Sequence, residues 1–223
     1  ITSLKRMAAV ILPLEGEPLF AVHRNEEVTA RENTWIDDLR IYEGGEWESL
    51  EAMKFLSEVI KDKNLEDNIL GLELLDMPGY WLDHLRELLP STGIVDAKPI
   101  FDELRAVKSP EELELLAKAN MSTAKAITAA FEIARPGDTE KEIARNMIDL
   151  TLKYGGDTVA FVYLGAGNNI FETHHVPGDY RLRKGDLLHT DFGCFFDGYY
   201  SDISRTAVVG EPSDEQLEDR KSV

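Results

Sequence analysis

Cysteine is almost absent from this 223-residue sequence. Cys194 stands alone, so no disulfide can form within the chain, and the composition suits a reducing cytoplasm. Long apolar runs are missing too: stretches such as Met7 to Leu12 are far too short to span a bilayer, and the opening residues do not read as a basic-then-apolar signal. Basic residues are scarce, 24 against 42 acidic ones, which leaves a net charge of −18. A phosphate-binding face needs clustered Lys and Arg, so nucleic acid is excluded as a partner and an anionic membrane surface is disfavoured. There is no glycine-rich phosphate loop, no internal repeat and no G-x-S-x-G elbow for a nucleophilic serine. What is present is a 43% hydrophobic fraction, enough for one large or two medium packed cores.

Residues 1 to about 105 alternate between element types, an α/β pattern. Met7 to Pro13 and Leu19 to Val22 read as a hairpin already in the middle of a fold. Ile41-Tyr42 precedes a Gly44-Gly45 turn, and Ser49 to Lys61 has the helical period with Ser49 as N-cap. Asn68 to Leu75 is expected as a strand, Tyr80 to Leu89 as a second amphipathic helix, and Ile94-Val95 as another strand. A boundary falls near Ala106 to Ser109, dividing the chain into domains at 1–106 and 107–223.

Beyond it the pattern changes to α+β. Ser109-Pro110-Glu111-Glu112 combines an N-cap, a first-turn proline and a capping-box glutamate, and the helix it starts should run to about Ala134. Thr139-x-x-Glu142 starts a second helix, which ends at Gly155-Gly156. Strands are then expected at Val159 to Leu164, Leu187 to Phe196 and Tyr199 to Val209. Ser213 and Gln216 form one more capped start, but only seven residues follow Gln216, which leaves no room for a helix and suggests a truncated chain.

Asp197-Gly198 between two β-rich runs is a strong hairpin signal. If those residues form the loop, Phe196 pairs with Tyr199, Phe192 with Ile203 on the core side, Asp191 with Ser204, and Gly193 with Asp202. Asp191 and Asp202 then share the opposite face as diagonal neighbours, with Cβ atoms roughly 6 to 8 Å apart. Carboxylates so spaced can bracket a metal pair about 3.5 to 4 Å apart, with Gly193 leaving room for an ion. Acids flanking a hairpin can equally be solvated surface, and spacing alone leaves both readings open.

The run Lys184-Gly185-Asp186-Leu187-Leu188-His189-Thr190-Asp191-Phe192-Gly193, continued by Asp197-Gly198-Tyr199-Tyr200-Ser201-Asp202-Ile203-Ser204-Arg205-Thr206, resembles the first metal-binding hairpin of the pita-bread metallopeptidases, the superfamily of prolidase, Xaa-Pro aminopeptidase, methionine aminopeptidase and creatinase. The resemblance implies that Asp191 and Asp202 are its first two metal ligands. His174-His175-Val176-Pro177 resembles the segment that carries the family's histidine three residues before a proline, which implies that His174 is the catalytic histidine. Arg105 to Glu112 resembles the junction between a creatinase-type N-terminal domain and the catalytic domain. The implied fold is a partial α/β creatinase-like domain followed by the first half of an α+β pita-bread domain. The implied activity is hydrolysis of the peptide bond preceding proline, assisted by two divalent ions: manganese first, with cobalt, zinc or iron as alternatives. The expected partners are a proline-containing peptide and a second copy of the chain in a homodimer.

The family's site has five protein ligands, and none of the five histidines here follows Asp202. Glu211, Glu215 and Glu218 come too soon to supply the later glutamates, so the isolated chain is expected to bind metal poorly and to be inactive. His175 reads as solvent-facing or structural, His189 as a packed polar residue opposite Thr206, Cys194 as a buried inert thiol, and Gly165 to Asn169 as a turn. A creatinase-like C–N hydrolase, which works without metal, is disfavoured by the retention of Asp191 and Asp202. A peptidase-dead fold used for binding or dimerisation is the other alternative.

Overall fold

A computed structural model describes residues 6–44 and 50–219, and the chain divides into two compact units, Ile1–Val107 and Lys108–Val223. In the first unit β1 (Ala8–Ile11) and β2 (Leu19–His23) form an antiparallel hairpin. α1 (Glu27–Asn33) then carries the chain across to β3 (Asp38–Tyr42), which pairs parallel to β2. α2 (Glu51–Asp62) leads to a second parallel pair, β4 (Ile69–Leu72) and β5 (Gly93–Asp96), connected through α3 (Gly79–Leu88). Parallel strands need such crossovers, which accounts for the alternating pattern in the sequence. The core is made by Met53, Leu56 and Ile60 of α2, Trp81 and Leu85 of α3, and Tyr42.

Some boundaries differ from the sequence reading. α2 begins after Leu50, which makes no side-chain cap, while the expected cap Ser49 and Gly45 of the expected turn lie outside the described residues. The strand expected to reach Leu75 stops at Leu72, because Glu73 to Asp76 turn back with the Asp76 amide donating to Glu73 O. α1 and α4 (Lys98–Ala106) were not anticipated. Both are short and held by local charge pairs, Glu27 with Arg31 at 2.8 Å and Lys98 with Asp102, which apolar periodicity does not register.

The second unit opens on α5 (Pro110–Ile133) and α6 (Glu140–Lys153), and both expected capping boxes form. The Ser109 amide donates to Glu112 Oε2 at 2.7 Å, and the Thr139 amide to Glu142 Oε2 at 2.7 Å. The sheet that follows is antiparallel, with β7 (Leu187–Phe196) in the middle and β6 (Thr158–Ala166) on one side. On the other side lie β8 (Tyr199–Tyr200) and β9 (Ile203–Val208). Asp197 (φ 47°) and Gly198 (φ 81°) both take positive φ, the requirement of a two-residue type I′ hairpin turn. Phe196 pairs with Tyr199, Phe192 with Ile203 and Asp191 with Ser204, so the expected register holds.

Alternation along β7 buries Leu188, Thr190, Phe192 and Cys194 beneath the two helices. α5 meets this face with small residues, Ala119, Thr123, Ala126 and Ala130, all fully buried, which permits close approach. The expected strand Tyr199 to Val209 is interrupted at Ser201 and Asp202. Ser201 N donates to Cys194 O at 2.9 Å, but the return bond runs from Cys194 N to the Ser201 hydroxyl at 3.1 Å. A side chain replaces a backbone carbonyl there, and the ladder breaks. Near the end, Gln216 N donates to Ser213 Oγ at 3.3 Å and a short helix, α7 (Asp214–Asp219), does form, contrary to the expectation that none could.

Phe192 is fully buried on the helix-facing side, whereas His189 sits on the other face. Phe192→Ala should therefore destabilise the second unit by about 3 to 5 kcal/mol, and His189→Ala by under about 1 kcal/mol, in urea titrations. Similar costs for the two would contradict the face assignment.

Candidate metal centre

The site is built on the face of the β6–β7–β9 sheet turned away from α5 and α6. Tyr163 of β6 lies opposite Asp191 of β7, and Asp191 lies opposite Ser204 of β9, so the three form one row across the strands. The Ser204 hydroxyl donates to Asp191 Oδ1 at 3.3 Å. Asp202, exposed at the break in the ladder, reaches the same carboxylate. Desolvation first, then the charge of Asp191 and a hydrogen bond between the two carboxyl groups, push the Asp202 carboxyl above its ordinary value. Carboxyl groups held this close repel one another as anions, and a cation between them would relieve that repulsion.

His174 joins them through an aromatic contact. Its ring packs on Tyr163 with centroids 4.7 Å apart and planes tilted by 37°. Tyr163 thus links the histidine to the residue directly opposite Asp191. This platform carried no signal in the sequence, where Tyr163 read only as part of a β-rich run.

Gly193 does not do what its position suggested. A Cβ there would sit 2.6 Å from Phe161 Cε1 and against the Ser201 carbonyl, so the space is filled by an aromatic ring and a backbone oxygen and offers no room for an ion. The glycine is needed because Phe161, its partner on β6, lies across it. Beneath this point Thr123 Oγ1 bonds Ser201 Oγ at 2.6 Å and Cys194 Sγ at 2.8 Å. The thiol is buried, and its polar partner comes from α5.

The remaining histidines have defined partners. His189 Nδ1 and Thr206 Oγ1 share a hydrogen bond of 2.8 Å. His175 is structural, half-buried between Glu172 (2.6 Å from Nδ1) and Glu140 (2.9 Å from Nε2). Glu140 read in the sequence only as a first-turn acid of α6, yet its side chain is fully buried. Burial alone would raise its carboxyl, but hydrogen bonds from Asn169, Gly178, Ala166 and His175 outweigh that and hold it below the ordinary value. Burial likewise opposes the charge on His175, and its bonds to Glu172 and Glu140 prevail and raise it. The Gly165 to Asn169 segment, expected as a turn, runs from the end of β6 into a 3-10 stretch, Gly167–Phe171. Among the described residues no group of three or more His, Cys, Asp or Glu side chains stands close enough to hold a metal.

A model of metallopeptidase family M24 matches residues 114–221, and a model of the creatinase/prolidase N-terminal domain matches residues 2–107. The chain belongs to metallopeptidase family M24. Its fold is the expected one, a creatinase-type N-terminal domain followed by pita-bread structure. An Xaa-Pro dipeptidase from Pyrococcus furiosus is 36% identical over 120 residues, 53% of this chain and 34% of that protein. A probable dipeptidase, PepE, from Mycobacterium tuberculosis is 27% identical over 214 residues, 94% of this chain and 55% of the relative. Among solved structures, the X-Pro aminopeptidase of Thermotoga maritima superposes with a TM-score of 0.79 at 25% identity, covering 92% of this chain and 56% of the other. The chain thus spans about half the length, or less, of the relatives it matches. Membership of the M24 family implies divalent metal ions, and among the described residues no helix is long and apolar enough to cross a membrane.

The opposed shifts of Glu140 and His175 have a definite sign. A carboxyl held low contributes stability above its unfolded value and loses it as pH falls through the folded one. An imidazole held high contributes below its unfolded value and loses it as pH rises. Protection of the α6 and β6 amides from hydrogen exchange should therefore be greatest between about pH 5 and 6.5. His175→Gln should flatten the alkaline side, and an unchanged profile would refute the linkage. Separately, Gly193→Ala should cost about 1 to 3 kcal/mol in urea unfolding, because neither the Phe161 ring nor the Ser201 backbone can yield freely.

Proposed function

We propose that the protein is a metal-dependent Xaa-Pro peptidase, which cleaves the peptide bond preceding proline. In this reading residues 1–106 are a creatinase/prolidase-type N-terminal domain, and residues 107–223 are the first half of the catalytic domain. Asp191 and Asp202 are two of the metal ligands, and His174 is the catalytic histidine. The observation that carries the reading is the approach of the Asp191 and Asp202 carboxyl groups to one another on the face where His174 stacks on Tyr163.

The donor set fits hard divalent ions. Two carboxylates that repel one another supply oxygen ligands of the kind manganese prefers among the candidate metals, with cobalt, zinc and iron as alternatives. When bound, a divalent pair supplies Lewis-acid stabilisation of developing negative charge. The chain's own residues do the rest. Asp191 and Asp202 hold the ions, with the Ser204 hydroxyl orienting Asp191. His174 donates a hydrogen bond to the oxygen of the scissile group as charge builds on it, and Tyr163 backs the imidazole against the sheet. Residence in the cytoplasm and a homodimer formed through the N-terminal unit complete the proposal.

Two ligands hold a dinuclear pair weakly. The 223-residue chain should bind manganese with a dissociation constant weaker than about 1 μM in calorimetry, should lose even that as the Asp191→Asn, Asp202→Asn double variant, and should not turn over an Xaa-Pro dipeptide. Tight stoichiometric manganese or measurable turnover by this chain would overturn the assignment of an incomplete site. In the full-length protein, His174→Ala should lower turnover about 100-fold or more with metal content unchanged. Full activity without His174 would refute its role.

A further inference from the structure

The segment between β6 and β7 carries His174, and one carboxylate ties it down. Glu140 is the only charged side chain among the described residues that is buried, and both of its oxygens are engaged. Oε1 accepts from Ala166 N and Asn169 Nδ2, each at 2.9 Å. Oε2 meets His175 Nε2 at 2.9 Å and accepts from Gly178 N at 2.9 Å. These partners bracket His174 on both sides in the chain. The His175 carbonyl also accepts from Leu164 N at 3.1 Å, one residue along from Tyr163. His175 is therefore held by its ring and its backbone, whereas among the described residues the exposed His174 ring rests only on the face of Tyr163.

We infer that Glu140, acting through His175 and the amides of Ala166 and Gly178, is a positioning residue that sets the His174 imidazole on Tyr163 above the Asp191 row. The inference rests on the reading of His174 as the catalytic histidine. A buried carboxylate with no partners is costly, and this one lies where the hydrogen bonds of an irregular loop converge, so its burial is compensated only when the loop takes this one path. A catalytic imidazole needs that kind of support, because orientation must be held within about 10 to 20°. Without the anchor, the contact with the half-buried Tyr163 ring is the one constraint on the His174 ring among the described residues.

The test is nuclear magnetic resonance on the 223-residue chain, which follows ring geometry and not turnover. Cross-relaxation between the His174 and Tyr163 ring protons is compared in the parent, Glu140→Gln, Glu140→Asp and His175→Gln, with Tyr163→Leu identifying the signal. Glu140→Gln puts an amide donor against the donors of His175 or Gly178. It should weaken the His174–Tyr163 signal at least about threefold, the change expected when a ring held within ~0.5 Å is released, while the Phe192 and Leu188 resonances of the core stay in place. Glu140→Asp, which keeps the charge, should recover part of the signal, and His175→Gln should weaken it in the same direction. If Glu140→Gln does not fold, His175→Gln decides alone. An undiminished signal in the folded variant, even with lowered thermal stability, would overturn the inference and leave Glu140 with a purely structural role. Loss of the peptidase reading, for example full activity of His174→Ala, would not alter this result, so the two can fail separately.

Discussion

The site depends on the register of one hairpin. Positive φ at both Asp197 and Gly198 lets the chain reverse in two residues, and every pair along β7 and β9 follows from that reversal. Side chains alternate, so a slip of one residue would turn Asp191 into the core and Phe192 into solvent. Such a slip would expose a fully buried phenyl ring and bury a carboxylate beneath α5, and both changes are strongly unfavourable. The core therefore enforces the placement of the acids. Phe192, Cys194 and Leu188 facing the helices and Asp191 facing away are one constraint seen from two sides.

The break in the ladder follows from the same packing. Thr123, on the buried face of α5, presents a hydroxyl to Ser201 and Cys194, and the Ser201 hydroxyl takes the amide of Cys194 that a regular strand would give to a carbonyl. The Ser201 carbonyl turns toward Gly193, and Asp202 leaves the regular pairing. A polar patch inside the core thus shapes the exposed face, because it takes Asp202 out of the regular ladder beside Asp191.

Which parts were legible in the sequence follows from the range of the interactions involved. The α5 and α6 caps were readable because Ser109, Glu112, Thr139 and Glu142 act within one turn. The hairpin register was readable because Asp197-Gly198 has few ways to reverse a chain. The faces of Asp191, Phe192 and Ile203 then followed by parity. Contacts between distant segments were not readable. Nothing local marks Glu140 as different from the first-turn acids Glu111 or Glu142, since its burial depends on Ala166, Asn169, His175 and Gly178 arriving from far along the chain. Phe161 filling the space over Gly193 was hidden for the same reason: a glycine in a strand signals close approach, but not what approaches.

The two halves of the site therefore rest on different physics. The acids are placed by apolar packing, which is strong, non-directional and tolerant of solution conditions over a wide range of pH. The histidine segment is placed by hydrogen bonds to a buried charge, which are directional and tied to the protonation of Glu140 and His175. A metal-binding face gains from the first arrangement, because like charges must be kept together against their own repulsion whether or not a cation is bound. A residue that interacts with substrate gains from the second, because bonds to one carboxylate define a direction where packing defines only a location. Damage to the two halves should accordingly differ in kind: loss of core volume under β7 unfolds the unit, while loss of the Glu140 charge leaves the acids where they are and frees the ring beside them.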